Sequence, residues 1–159
     1  MRQRIRRSIG AILAGMAITA LGAGCRSEET EGERVAPAQM SAPARAAMEK
    51  LIAGGAIEKI ARETEKGRVL YDVEATVGGK HVEYAIADAD GAVVGTETSI
   101  EFGELPAAVR TAAEKLFGGA AGLKAMKGVE EGVTTYEVEG KKDGKTIEAN
   151  FDPDGKRIE

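Results

Sequence analysis

The chain has 159 residues, 26 acidic and 22 basic, with one histidine, one cysteine and no tryptophan, for a net charge of −4. That length leaves room for one modest domain or two very small ones. An acid-rich chain is poorly suited to neutralising phosphates, and a lone cysteine and a lone histidine supply neither an internal disulfide nor the donor set of a zinc site, so nucleic-acid binding and cysteine or zinc chemistry are set aside.

The chain opens MRQRIRRSIGAILAGMAITALGAGC. Arg2, Arg4, Arg6 and Arg7 form a basic n-region, an apolar run extends from about Ile9 to Leu21, and small residues precede Cys25. This is the layout of an export signal, and a run of about a dozen residues falls short of the roughly 20 that a membrane span needs. Leu21 to Cys25 resembles a lipobox, with Leu21 standing four residues before the cysteine and Gly22 in the usual leucine place. The resemblance implies a signal peptide over 1–24 and a lipidated Cys25 that tethers the protein to a membrane without spanning it. The alternative is a free thiol in an uncleaved anchor. Arg6-Arg7-Ser8-Ile9 partly resembles a twin-arginine signal. Removing Met1 to Gly24, with four arginines and no acid, takes the net charge to about −8. Residues 25–41 are polar and nearly free of large apolar side chains, so they read as a flexible tether.

From residue 42 the chain repeats itself. A shift of 65 residues superposes EKL at 49–51 on EKL at 114–116 and YDVE at 71–74 on YEVE at 136–139, and fourteen of thirty-five positions from Glu49 to Glu83 are identical. The repeats are placed at 42–98 and 104–159. Each opens with an alanine-rich helical stretch, APARAAMEKLIAGG or LPAAVRTAAEKLFGG, with a proline near its start and glycines at its end. Met48, Leu51, Ile52, Val109, Leu116 and Phe117 form the buried stripes.

Strands follow. IEKIARETEKG has a pattern compatible with a helix, but its counterpart GLKAMKGVEEG is broken by glycines, so both are expected as first strands. In VLYDVEATV the residues Tyr71, Val73 and Ala75 alternate with Asp72, Glu74 and Thr76, and in HVEYAIA Val82, Tyr84 and Ile86 alternate with His81, Glu83 and Ala85. The second copy sets Tyr136, Val138, Ala149 and Phe151 against Glu137, Glu139, Glu148 and Asn150. Gly78-Gly79 and Asp143-Gly144 signal hairpins. The expected fold is α+β, two repeats that each pack a helix on an antiparallel meander of about four strands, with a polar sheet face left to solvent.

A helix, a strand with Y-[DE]-V-E, a G-K hairpin and then D-x-D-G resembles the PepSY-like superfamily, including its beta-lactamase-inhibitor-like group. Tyr71, Val73, Gly79, Asp90 and Gly91 carry the resemblance, with Tyr136, Val138, Gly144, Asp154 and Gly155 in the second copy. The resemblance implies a secreted or membrane-tethered module that binds or restrains an enzyme and is not itself one.

The residues agree with that expectation. No catalytic residue or cofactor emerges, and the carboxylates lie where an open sheet face requires polar side chains. The candidate partner-binding face is Asp72, Glu74, His81, Glu83, Glu137, Glu139 and Glu148, whose acidity suits a basic ligand or envelope protein. The alternative is an acidic, metal-responsive or cation-binding envelope protein. For D-x-D-G, an EF-hand-type calcium loop needs further oxygen ligands after the glycine. Here Ala92-Val93-Val94 and Lys156-Arg157 follow, so the motif is expected to be a turn and no metal ligands are assigned.

Overall fold

The computed structural model describes residues 32–65 and 67–158. The signal peptide, Cys25 and the start of the tether lie outside the described residues. Strand β1 spans Glu33–Arg34 and helix α1 Ala42–Leu51. Strands β2 (Ala56–Glu65), β3 (Arg68–Val77), β4 (Lys80–Ala87) and β5 (Val93–Ile100) follow. After helix α2 (Ala107–Phe117) come β6 (Lys124–Glu130), β7 (Val133–Lys142), β8 (Lys145–Phe151) and β9 (Arg157–Ile158). Each strand pairs antiparallel with the next, so a single sheet of nine strands runs in sequence order. Its middle seam is β5 against β6, in register from Gly95 opposite Glu130 to Ile100 opposite Ala125.

Local chemistry sets the helix ends. Ser41 caps α1 by accepting a hydrogen bond from the Ala44 N–H at 3.4 Å, while its own hydroxyl donates to the Asp88 carbonyl at 2.6 Å. Helix α2 stops at Gly118, whose φ of 80° is the left-handed conformation that ends helices cheaply only at glycine. Both helices lie on the same side of the sheet. Met48 and Ile52 pack over Ile60, Tyr71, Val73, Val82 and Ile86. Val109 and Ala113 pack over Ala125, Val138, Ala149 and Phe151. Burying a side chain of this size contributes about 1.5–3 kcal/mol, which is what holds each helix to the sheet. Leu51, Leu116 and Phe117 are only partly buried, at the cluster margins.

The tether expectation is corrected at its C-terminal end. Glu33 and Arg34 pair with Arg62 and Ala61 on β2, and the Val35 N–H donates to the Ile60 carbonyl at 3.0 Å. Val35 and Met40 are buried in the first cluster. The physical reason is that an edge strand with open backbone groups takes up an added strand, and two apolar side chains suffice to seat it.

The two cores are filled differently at one matched place. The first has Ile52 near Ala75; the second, 65 residues on, has Phe117 and Gly140. A Cβ on Gly140 would lie 2.8 Å from Phe117 Cδ1 and closer still to Leu123 Cδ2. Phe117 and Leu123 thus together occupy the volume the missing methyl leaves. Gly140→Ala should therefore destabilise by about 1–3 kcal/mol, and Phe117→Ile in the same chain should recover part of that loss. Urea unfolding of the two single variants and the double variant checks this; strictly additive effects would refute the pairing.

Candidate functional site on the open sheet face

Strand alternation sends one set of side chains to the helices and the other to the opposite face. On that opposite face the register lines up glutamates. Glu74 on β3 is opposite Glu83 on β4, which is opposite Glu97 on β5. Glu139 on β7 is opposite Glu148 on β8. Like charges directly across a ladder destabilise a sheet, so the arrangement runs against the stability of the fold.

The face is not the solvated surface expected from alternation. It forms a hollow of about 440 Å³ that reaches from Glu58 on β2 to Glu148 on β8, with Met126 among its walls. Glu83 is only 5% exposed and Asp72 only 3%. A twisted sheet of this many strands wraps around its own face, and side chains near the middle lose water. Of the sequence-predicted residues, Glu74, His81, Glu83, Glu137, Glu139 and Glu148 all line the hollow. Asp72 shares the face but lies between Ala61 and Ala85 and does not line it.

Glu58, Glu97, Ser99, Lys124 and Met126 join the lining without having been singled out from sequence. Glu97 and Ser99 were findable, because TETS in β5 alternates as the other strands do. Glu58 was not. A register shift between Ile57 and Lys59 breaks the alternation there, and such a bulge re-aims one side chain.

Three basic groups meet part of this charge. Lys59 Nζ lies 3.0 Å from Glu74 Oε1, and Lys124 Nζ makes the matched contact with Glu139 Oε1, also at 3.0 Å. His81 places Nδ1 3.2 Å from Glu58 Oε2 and Nε2 3.1 Å from Glu83 Oε1, so its ring bridges the two carboxylates. Glu83 Oε2 and Glu137 Oε2 are buried with no hydrogen-bond partner among the described residues. Burial, followed by the Glu148, Glu97, Glu83 and Glu139 charges, pushes the Glu137 carboxyl up to about 8. Burial likewise raises Glu83, against a lowering by its His81 hydrogen bond. Glu148 is raised by burial and then by Glu139.

The D-x-D-G motifs lie elsewhere and are turns. The Tyr71 hydroxyl donates to Asp88 Oδ1 at 2.8 Å, and the Ala92 N–H donates to Asp90 Oδ1 at 3.0 Å. Asp152 Oδ1 accepts from the N–H groups of Asp154 and Lys156, at 3.0 and 2.9 Å. These aspartate oxygens are engaged in holding the turn.

Two helices on one face of a continuous antiparallel sheet, with a carboxylate-lined hollow on the other, define a two-layer α+β protein with a BLIP-like fold. Three solved structures share it. A Bacteroides eggerthii protein named as periplasmic has a TM-score of 0.59 at 18% identity, over 76% of this chain and 86% of its own. A DUF2874 family protein from Bacteroides uniformis has a TM-score of 0.55 at 18% identity, over 74% and 86%. A BLIP-like protein from Bacteroides fragilis has a TM-score of 0.51 at 22% identity, over 76% and 84%. No protein-family model matches the chain, and no curated protein matches it in sequence.

Proposed function

We propose that this chain is a non-catalytic envelope lipoprotein, anchored through Cys25, that binds and modulates an exported protein through the acidic hollow. In this reading the chain is a tandem duplication of one unit, a helix followed by a meander of about four strands. The observation that carries the binding role is the hollow itself. Opposed, half-buried carboxylates make physical sense where an incoming positive group relieves them, since charge complementarity orients a partner and speeds its arrival. The BLIP-like name of one structural neighbour and the periplasmic name of another agree with an inhibitor-like role and an exported location. Among the described residues no helix is long and apolar enough to cross a membrane. Cys25 is seven residues from Gly32, where the described structure begins. A chain of that length spans at most about 25 Å, which would hold the sheet close to the anchoring surface.

Crosslinking in the native envelope, followed by identification of what is captured, tests the reading. Charge reversal at Glu74, Glu83, Glu139 and Glu148 to Lys should abolish capture of the partner, while Cys25→Ser should release the protein from the membrane and leave binding intact. Retention of every partner by the charge-reversed chain would exclude the hollow as the binding surface.

A further inference from the structure

We propose that the hollow is a receptor for a single guanidinium group, an arginine side chain presented by the bound protein, with Glu83 and Glu137 as the acceptors. This rests on the binding role proposed above and specifies the chemistry of its central contact. Glu83 is the decisive residue. Its side chain is 5% exposed and lines the hollow, its Oε1 is held by His81, and its Oε2 is buried without a hydrogen-bond partner. Glu137, three strands further on across β5 and β6, also lines the hollow, and its Oε2 is likewise buried and unsatisfied. A buried acceptor left unmade is costly, and two of them on residues that line one space favour a ligand carrying several donors.

Three features select the guanidinium over other cations. The volume of about 440 Å³ lies in the range of sites for small organic groups and far exceeds the space of one bare ion. Among the described residues no three metal-ligating side chains converge at ion-binding distance. Glu74 and Glu139 are already paired with Lys59 and Lys124, so the sites an ammonium would take at the rim are filled from within the chain. Glu83 and Glu137 each keep one buried, unsatisfied oxygen, on separate strands. A planar fork with five donors can address both, remains charged at every relevant pH, and sheds water more readily than an ammonium. Met126 supplies an apolar wall for the stem of the side chain.

Calorimetric titration of the full chain in detergent micelles with N-acetyl-arginine amide, N-acetyl-lysine amide and calcium chloride tests this. Saturable binding of the arginine probe is expected, roughly tenfold tighter than the lysine probe, and weakened roughly tenfold or more by Glu137→Gln and by Glu83→Gln with Glu137→Gln. The thermal transition of each variant, read in the same samples, establishes that it is folded; Glu137→Gln replaces a carboxyl whose ionised form its neighbours repel and serves as the variant that keeps its fold. Absence of arginine binding, equal binding of lysine or calcium, or arginine binding that both variants retain would overturn the guanidinium site. Any of those results combined with loss of partner capture on charge reversal would leave the wider binding role standing, so the two readings fail separately.

Discussion

The protein should melt at a higher temperature at pH 5 than at pH 8.5, the reverse of the usual behaviour of a carboxylate-rich fold. The Glu137 carboxyl sits near 4.5 in the unfolded chain and is pushed up to about 8 in the folded one. Between those values the folded state holds a proton that the unfolded state has lost, so stability is fully present below about pH 4.5, falls as pH rises, and is lost above about 8. Displacement over that interval corresponds to at most about 5 kcal/mol. Solvent reaching the hollow screens part of it, which leaves about 2–3 kcal/mol, or about 8–12 °C for a domain of this size. Glu83 and Glu148 are raised too and act in the same direction. Glu137→Gln should raise the transition at pH 8.5 and flatten most of the dependence. Calorimetric melts at low ionic strength check both statements. A transition that stays level or climbs from pH 5 to 8.5 would mean that water in the hollow already solvates these carboxylates.

The second large effect is expected at the turn glycines. Gly155 has a φ of 79°, and a Cβ there would lie 2.5 Å from the Ala108 carbonyl oxygen in the first turn of α2. Gly91 repeats the arrangement against the Pro43 carbonyl of α1, at a φ of 72° and the same 2.5 Å. The obstructing atoms are helix backbone and cannot rotate aside, so the helix must move off its core. Gly155→Ala should cost about 3–5 kcal/mol, combining left-handed strain with displacement of packed side chains. Gly144→Ala is the control. Its φ of 75° carries the same strain, but nothing lies within 4 Å of the added atom, so it should cost only about 1–2 kcal/mol. Equal losses in urea unfolding of the two variants would refute the docking contact.

These glycines show how sequence and tertiary structure divide the information. D-x-D-G reads as a turn because glycine supplies positive φ and aspartate binds nearby backbone, and both are local properties. That the same glycine is the seat of a helix thirty or more residues away is a contact between distant segments, which no local pattern carries. Strands were legible for the same reason: alternation in YDVEATV and HVEYAIA is a two-residue rule. The ordered end of the tether was not, because Val35 and Met40 become core only once β2 offers an edge and α1 a cluster to enter.

The candidate site divides along the same line. Alternation alone assigned Glu74, His81, Glu83, Glu137, Glu139 and Glu148 to one face, since side-chain direction along a strand follows from backbone geometry. Pairing across β5 and β6 then brought the acids of the two halves together, and the twist of the combined sheet closed their shared face into a hollow. Whether an acid on that face is solvated or buried depends on how many strands join and how far the sheet curls. Those are properties of strands far apart in the chain, and only the assembled sheet turned a row of polar residues into a half-buried carboxylate site.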